Sequence, residues 1–200
     1  MLNKPYSESC EQNRVPIFQA IAPLLANCEK LLEIGSGTGQ HAVYFAAELP
    51  NLIWQTSDRQ RYHQGIVAWL DEAQLANTRA PLKLDVRKDA WPTTQYDAIF
   101  SANTLHIMHK AAVEALFTQL PTVLKDNGLF IVYGAFNHNG HYTSASNERF
   151  DQWLHAQDSQ SGIKDFEWVN QLAEKAGLRL HQALNMPANN ELLCWQKIAQ

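Results

Sequence analysis

Three glycines at alternate positions, Gly35, Gly37 and Gly39, follow the apolar run Lys30-Leu-Leu-Glu-Ile34. Glycines at this spacing let backbone approach a ligand closely and adopt positive φ. The helix expected from Gln40 offers free N–H groups to an anionic or polar ligand. The spacing is GxGxG, whereas dinucleotide loops read GxGxxG; three residues after Gly37 comes Gln40. No P-loop lysine follows, which argues against ATP hydrolysis. Two carboxylates stand where apolar runs end. Asp58 lies about 20 residues beyond the loop, where open α/β folds place a carboxylate on ribose hydroxyls. Its other reading is a helix N-cap. Asp85 ends the run Pro81-Leu-Lys-Leu84, and its other reading is a turn residue.

Further polar groups gather after later runs. Ser101-Ala-Asn-Thr-Leu-His106 carries Asn103 and His106. An imidazole titrates near neutrality, so His106 reads either as a general base or as packing under the next helix. Tyr142, Ser144, Ser146 and Asn147 fill the loop after the fifth apolar run, with Ser146 or Asn147 able to cap a helix. Asn189 and Asn190 separate the last two runs, and asparagine also suits plain turn chemistry. The other seven histidines form no HxxxH or HExxH pair. His138 and His141 share a glycine loop without a third ligand nearby, so no metal is expected.

Positioning these groups requires alternating strands and helices. Strands are expected at Lys30–Ile34, Leu52–Thr56, Pro81–Leu84, Tyr96–Ser101 and Leu129–Tyr133. Helices are expected at Gln40–Glu48 with Val43, Ala46 and Ala47 inward, at Gly65–Ala76, and around Val113, Leu116, Phe117 and Leu120. A first helix should open near Pro16 and carry Ile17, Ala20, Ile21, Leu24 and Leu25, with Pro23 kinking or dividing it. Asp165 should cap a helix that ends at Gly177. Trp69, Trp153 and Trp168 suit buried stripes. The runs Leu178–Ala183 and Leu192–Ile198 are separated by about eight residues, too few for a parallel crossover. They should be antiparallel neighbours. The fold class is therefore α/β: a doubly wound, Rossmann-like sheet of seven strands, mostly parallel, with an antiparallel C-terminal strand and helices on both faces.

The chain has 200 residues, 46% hydrophobic and 18% charged, enough for one domain with a full core. Sixteen Lys and Arg against 20 Asp and Glu give −4, which argues against a duplex nucleic-acid binder. Cys10, Cys28 and Cys194 are odd in number and widely spaced, so neither a disulfide framework nor a zinc site is expected and a reducing cytoplasm fits. The first residues show no secretory h-region, and no apolar run approaches membrane-spanning length.

Glu33-Ile-Gly-Ser-Gly-Thr-Gly39 resembles the first motif of the class I S-adenosylmethionine-dependent methyltransferases. Those proteins have seven strands with the seventh antiparallel. The resemblance implies S-adenosylmethionine as cofactor, bound by Glu33, Gly35, Ser36, Gly37, Gly39, Asp58, Asp85, Val86 and Asn103. It puts Asp85 on the adenine amino group, the Val86 amide on the ring, and the turn holding Asn103 and His106 beside the sulfonium.

Further blocks resemble the family numbered 938 among domains of unknown function, the methyltransferase-like protein 26 type. These are Ser9-Cys-Glu-Gln-Asn-Arg14, Gln40-His41, Trp54-Gln-Thr-Ser-Asp58, Ala102-Asn-Thr-Leu-His106, Phe150-Asp151 and Met186-Pro-Ala-Asn-Asn190. Thr56 and Ala135 stand where that family usually has proline. The implied division is an N-terminal lid and helix at 1–28, a cofactor core at 29–135, and acceptor-side elements at 136–200. Asn13, Arg14, Tyr142, Asn189 and Asn190 then become acceptor-pocket residues, with His106 the catalytic candidate. Arg14 would pair with a carboxylate of the cofactor's methionine part or of an acidic acceptor, or else lie on the surface beside an N-cap.

The expected activity is methyl transfer to a small molecule or a protein side chain. One alternative is a non-catalytic protein that binds S-adenosylmethionine or S-adenosylhomocysteine; another is a nicotinamide oxidoreductase, against which the GxGxG spacing speaks. The acceptor and the oligomeric state stay open at this point.

Overall fold

The computed structural model describes residues 4–199, so the outermost residues of the expected 1–28 and 136–200 segments lie outside the described chain. Nine strands and six α-helices are assigned there. The strands are β1 (Lys30–Glu33), β2 (Ile53–Asp58), β3 (Thr78–Lys83), β4 (Tyr96–Ala102), β5 (Leu124–Gly134), β6 (Phe136–Asn137), β7 (Lys164–Asp165), β8 (Leu178–Met186) and β9 (Asn190–Lys197). The helices are α1 (Glu8–Leu25), α2 (Gln40–Glu48), α3 (His63–Ala73), α4 (Lys110–Val123), α5 (Ala145–Gln157) and α6 (Phe166–Lys175).

Seven strands form one sheet in the order β3-β2-β1-β4-β5-β9-β8, and β6 pairs with β7 separately. β1 to β5 pair in parallel, while β9 runs antiparallel to both β5 and β8. β8 therefore points the same way as β1 to β5, and its exit lies on the edge where they end. Strand order reverses between the neighbours β1 and β4. Ligand crevices of open α/β sheets form at that switch point, beyond the carboxyl ends of the strands.

Alternation along the strands divides the core. Leu31, Trp54, Phe100 and Ile131 face α1, α2 and α3, whereas Leu32, Ile99, Phe130 and Trp195 face α4 and α6. A small cluster of Ala135, Leu154 and Ile163 seats α5 over the end of β5.

Several element boundaries differ from the sequence expectation. α1 starts at Glu8, not near Pro16, because the Ser7 side chain caps it by accepting from Cys10 N; both Pro16 and Pro23 lie inside one continuous helix. Burial of Ile17, Ile21 and Leu25 supports the helix where the prolines remove amide donors. α2 buries Ala42, Phe45 and Ala46, with Ala47 exposed. The larger Phe45 ring takes the inward position, edge-on to Phe100 at 5.7 Å and tilted against Trp54 at 5.5 Å. α3 begins two residues before Gly65 and ends three before Ala76, closed by Gln74 in the left-handed region. Ser144, neither Ser146 nor Asn147, caps α5. Asp165 precedes α6 without capping it, since its carboxylate accepts from Gly140 N instead. Trp153 is 57% exposed rather than part of a buried stripe.

Phe45 couples α2, and hence the glycine turn before it, to the sheet. Phe45→Ala should cost about 3 to 5 kcal/mol in a denaturant unfolding experiment. A loss below about 1 kcal/mol would show that α2 is held by other contacts.

Candidate functional site

The turn from β1 into α2 is held from below. Gly35 N and Ser36 N both donate to Ser57 O at 3.0 Å. Ser57 N donates to Ser36 Oγ at 3.1 Å, and Ser57 Oγ donates to Glu33 O at 2.6 Å. Glu33 Oε2 accepts from Ser36 Oγ at 2.8 Å and from Trp54 Nε1 at 3.0 Å. Burial pushes this carboxyl up to about 7, against the pull of its Trp54 and Ser36 hydrogen bonds. Gly35 has φ +76°, and a Cβ there would stand 2.7 Å from the Thr104 side chain. Only glycine lets this turn pass the loop leaving β4. Gly37 differs: at φ +58°, its missing Cβ would meet nothing within 4 Å. That open space is a cradle above the turn.

Asp58, at the end of β2, is buried beside the cradle. Its Oδ2 accepts from Gly37 N at 2.8 Å and its Oδ1 from Arg59 N at 2.7 Å. Burial raises its pKa, and these two amides oppose the rise. Each oxygen keeps a second lone pair for a hydroxyl donor. Asp85 follows β3, half-buried, with Oδ1 accepting from Arg87 N at 3.1 Å. Val86 O accepts from Trp91 Nε1 at 3.3 Å, while among the described residues Val86 N has no hydrogen-bond partner. Asn103 follows β4 at φ +53°, its amide donating to Tyr133 O at 2.8 Å. Gly loop, Asp58, Asp85, Val86 and Asn103 thus all lie on the strand edge around the β1–β4 switch point. This set fits an adenosine-bearing cofactor: a carboxylate for ribose, a free amide for a ring nitrogen, and a side-chain-free cradle.

The N-terminal chain crosses the same edge. Ser7 N donates to Gln40 Oε1 at 2.6 Å, and Gln40 Nε2 returns to Ser7 O at 3.3 Å. Asn13 Oδ1 meets His41 Nε2 at 2.7 Å. The Tyr133 hydroxyl interacts with the Asn13 and Asn190 side chains, which oppose the rise in its pKa caused by burial. The structure thus brings Asn13 and Asn190 together at Tyr133. Arg14 lies elsewhere, paired with Glu11 and over the Tyr44 ring. Asn189, at φ +57°, donates through Nδ2 to Ser146 Oγ at 3.0 Å, and its carbonyl accepts from Asn147 Nδ2 at 2.9 Å. Tyr142 donates to Asp151 Oδ2 at 2.8 Å.

His106 is 6% exposed, with the Phe150 ring edge-on at 4.9 Å. Burial brings its pKa down to about 4, with Lys164 adding to the fall and Asp151 opposing it. Among the described residues, no hydrogen bond involves its ring nitrogens. His138 bridges to Glu191 at 2.6 Å, and no three or more His, Cys, Asp or Glu side chains of the described residues are grouped to hold a metal.

Four side chains in these networks escaped the residue-by-residue reading: His41, Tyr133, Asp151 and Lys164. His41 and Asp151 fall within family-like blocks; Tyr133 ends an apolar strand, where a polar tip was the available sign. Lys164 carries no such sign, since its burial is set by packing distant in sequence.

The fold is shared with solved methyltransferases. An O-methyltransferase family protein from Burkholderia thailandensis aligns with TM-score 0.82 and 14% identity, over 96% of this chain and 58% of that one. The S-adenosylmethionine-dependent methyltransferase SibL aligns with TM-score 0.80 and 17% identity, over 96% and 56%. Human N-acetylserotonin methyltransferase, solved in complex with SAM, aligns with TM-score 0.79 and 16% identity, over 96% and 53%. This chain spans a little over half the length of these proteins.

Glu33 gives the site a pH signature. Its folded value of about 7 exceeds the ordinary 4.5. The stability it contributes is complete below pH 4.5 and is lost as pH rises through 7. Glu33→Gln should therefore gain up to about 3 kcal/mol relative to the unsubstituted protein between pH 4.5 and 8. A pH-independent difference in denaturant unfolding would show that Glu33 does not titrate this way. Residues 4–197 match the family described as protein of unknown function (DUF938), and the chain belongs to that family.

Proposed function

We propose that this protein transfers the methyl group of S-adenosylmethionine to an acceptor carrying a transferable proton, either a small molecule or a protein side chain. The observation that carries this reading is the placement of the Gly37 cradle, the Asp58 carboxylate and the free Val86 amide around one switch point. The neighbouring fold of a methyltransferase solved with SAM supports the same cofactor. Bound there, the sulfonium supplies an electrophilic methyl group, so the chain's own contribution is alignment and exclusion of water.

In this reading Asp58 receives the ribose hydroxyls. The Val86 N–H donates to the adenine ring and Asp85 accepts from its amino group. Asn103 helps to hold the cofactor at the turn beside the sulfonium. His106 is neutral at physiological pH, so one of its ring nitrogens can accept a proton. A base this weak suffices when the acceptor's proton becomes strongly acidic as its bond to carbon forms. Asn13, Tyr133 and Asn190 close the opposite side of the strand edge. Methyl transfer from inside the cell's reducing compartment is consistent with the cysteines, all three free.

A second reading, a protein that binds the cofactor without transferring the methyl group, is favoured by the depth of His106, which leaves little imidazole surface for an acceptor.

Calorimetric titration with S-adenosylmethionine, S-adenosylhomocysteine and NAD tests the cofactor. Micromolar binding of the two sulfur ligands without NAD is expected. Asp58→Ala should weaken that binding at least about tenfold, since a charged hydrogen-bond acceptor is removed, while the protein stays folded. Undiminished affinity would sink the role of Asp58, and NAD binding alone would return the oxidoreductase alternative. Mass spectrometry for S-adenosylhomocysteine formed with an acceptor library then separates enzyme from binder.

A further inference from the structure

The exits of β2 and β3 lie side by side, next to the crevice proposed for the cofactor. Asp58 pairs with Lys83 across the two strands, and Leu84 N donates to Asp58 O at 3.0 Å. The acids at these exits are turned onto backbone amides. Asp58 takes Gly37 N and Arg59 N, and Asp85 takes Arg87 N. The cations are turned outward. Arg59, Arg61, Arg87 and Lys88 are all exposed, and among the described residues none of them pairs with a carboxylate. The neighbouring Lys83 does, with Asp89 at 3.1 Å.

Two of these cations are held together on one aromatic side chain. The Arg59 guanidinium lies 5.5 Å from the centre of the Tyr62 ring, and the Arg61 guanidinium 4.9 Å from it. Their Nη2 atoms donate to the Tyr62 hydroxyl at 3.5 and 3.0 Å. Both positive charges therefore stand within hydrogen-bond reach of a single oxygen. The phenol accepts from both but supplies no negative charge, so their mutual repulsion is uncompensated. Tyr62 is a firm base for them, since its ring packs against the core around Ile66 and Leu70. The next residue, His63, meets Asp58 O through Nε2 at 2.9 Å. Side chains braced in this way lose less freedom when a ligand arrives.

We propose that Arg59 and Arg61, braced on Tyr62, bind the phosphate group of a phosphate monoester. The chemistry of the pair selects this class. One guanidinium can occupy both oxygens of a carboxylate through its fork of N–H groups. A phosphate monoester brings a third acceptor oxygen and a charge of about −1.5 to −2, enough for two guanidiniums at once. Arg87 and Lys88, on the adjacent strand exit, deepen the positive field around the same spot. The monoester belongs either to a small phosphorylated molecule or to the phosphorylated end of a nucleic-acid strand. The site lies outside the glycine cradle and does not depend on methyl transfer.

Calorimetric titration of the full chain at low salt, with and without S-adenosylhomocysteine, tests this with uridine 5′-monophosphate against uridine. The nucleotide should bind with a Kd below about 1 mM in both conditions, and the nucleoside should not. The double variant Arg59→Gln/Arg61→Gln should weaken nucleotide binding at least about tenfold, because two charged donors are lost. Both side chains are exposed, so the fold should persist, and Arg61→Gln alone gives a second reading of the same loss. Arg59→Lys/Arg61→Lys keeps the charges but removes the forks, and should also bind more weakly than the unsubstituted protein. Arg179→Gln, at the far edge of the sheet, should change nothing. A hexauridylate with a 5′-phosphate, compared with its 5′-hydroxyl form, identifies the source. Tighter binding than the mononucleotide, lost with the 5′-phosphate, assigns the end of a strand; equal binding assigns a small phosphorylated molecule. No nucleotide binding, full affinity in either double variant, or equal affinity for glutarate would overturn the proposal. S-adenosylhomocysteine binding without nucleotide binding would sink this site alone, and the reverse would sink only the cofactor reading.

Discussion

A chain leaving the central strand of a parallel sheet has to turn sharply, start a helix, and still leave its amides and the space above them open to a ligand. In this protein the turn Gly35–Gly39 is held from underneath, and nearly everything else in the candidate site depends on that. Ser57 O takes two amides of the turn, the Ser36 hydroxyl and Trp54 indole converge on the Glu33 carboxylate, and Asp58 reaches back to Gly37 N. The bonds come from β2, so the second strand both supplies the Asp58 carboxylate and sets the shape of the first loop. A carboxylate buried as deeply as Glu33 is costly to ionise, yet each of its hydrogen bonds ties two segments together. The arrangement exchanges some stability at neutral pH for a turn with one shape.

The acceptor side uses a different device. At the end of β5, α5, β7 and the loop at 138–144 meet on the Asp151 carboxylate and the Gly162 turn. A single anion, Asp151 on α5, accepts from the Tyr142 hydroxyl and Ile163 N and so joins α5 to the 138–144 loop and to the approach to β7, beside the small cluster around Leu154. The Asn147–Asn189–Ser146 hydrogen bonds tie α5 to the β8–β9 connection in the same way. Polar pins replace hydrophobic area where the sheet edge must stay open.

How much of this was readable residue by residue depended on sequence distance. The glycine turn, the acids at strand ends and the antiparallel last strand are local: they follow from periodicity, spacing and a connection too short for a crossover. The Asn103–His106 turn was placed on the right edge for the same reason. Arg14 illustrates the limit. Its type and position suggested a carboxylate partner, but one helical turn away Glu11 supplies one, and Tyr44 takes the guanidinium face. Pro16 misled differently, because local propensity favours proline in a first turn, whereas three buried apolar side chains carry α1 straight through it.

By itself, the sequence determined the α/β alternation, the switch-point loop and the residues lining its near side, since each is encoded in contiguous residues and in a period that one chain segment can show. Tertiary structure alone decided the burial of Lys164 and His106, the convergence of Asn13, His41, Tyr133 and Asn190, and the joint commitment of Asp151 to three segments. Asn13, His41, Tyr133 and Asn190 lie tens of residues apart, and the protonation and reach of buried groups are set by desolvation and by the charges packed around them. Such properties belong to the folded environment and to no single position in the chain.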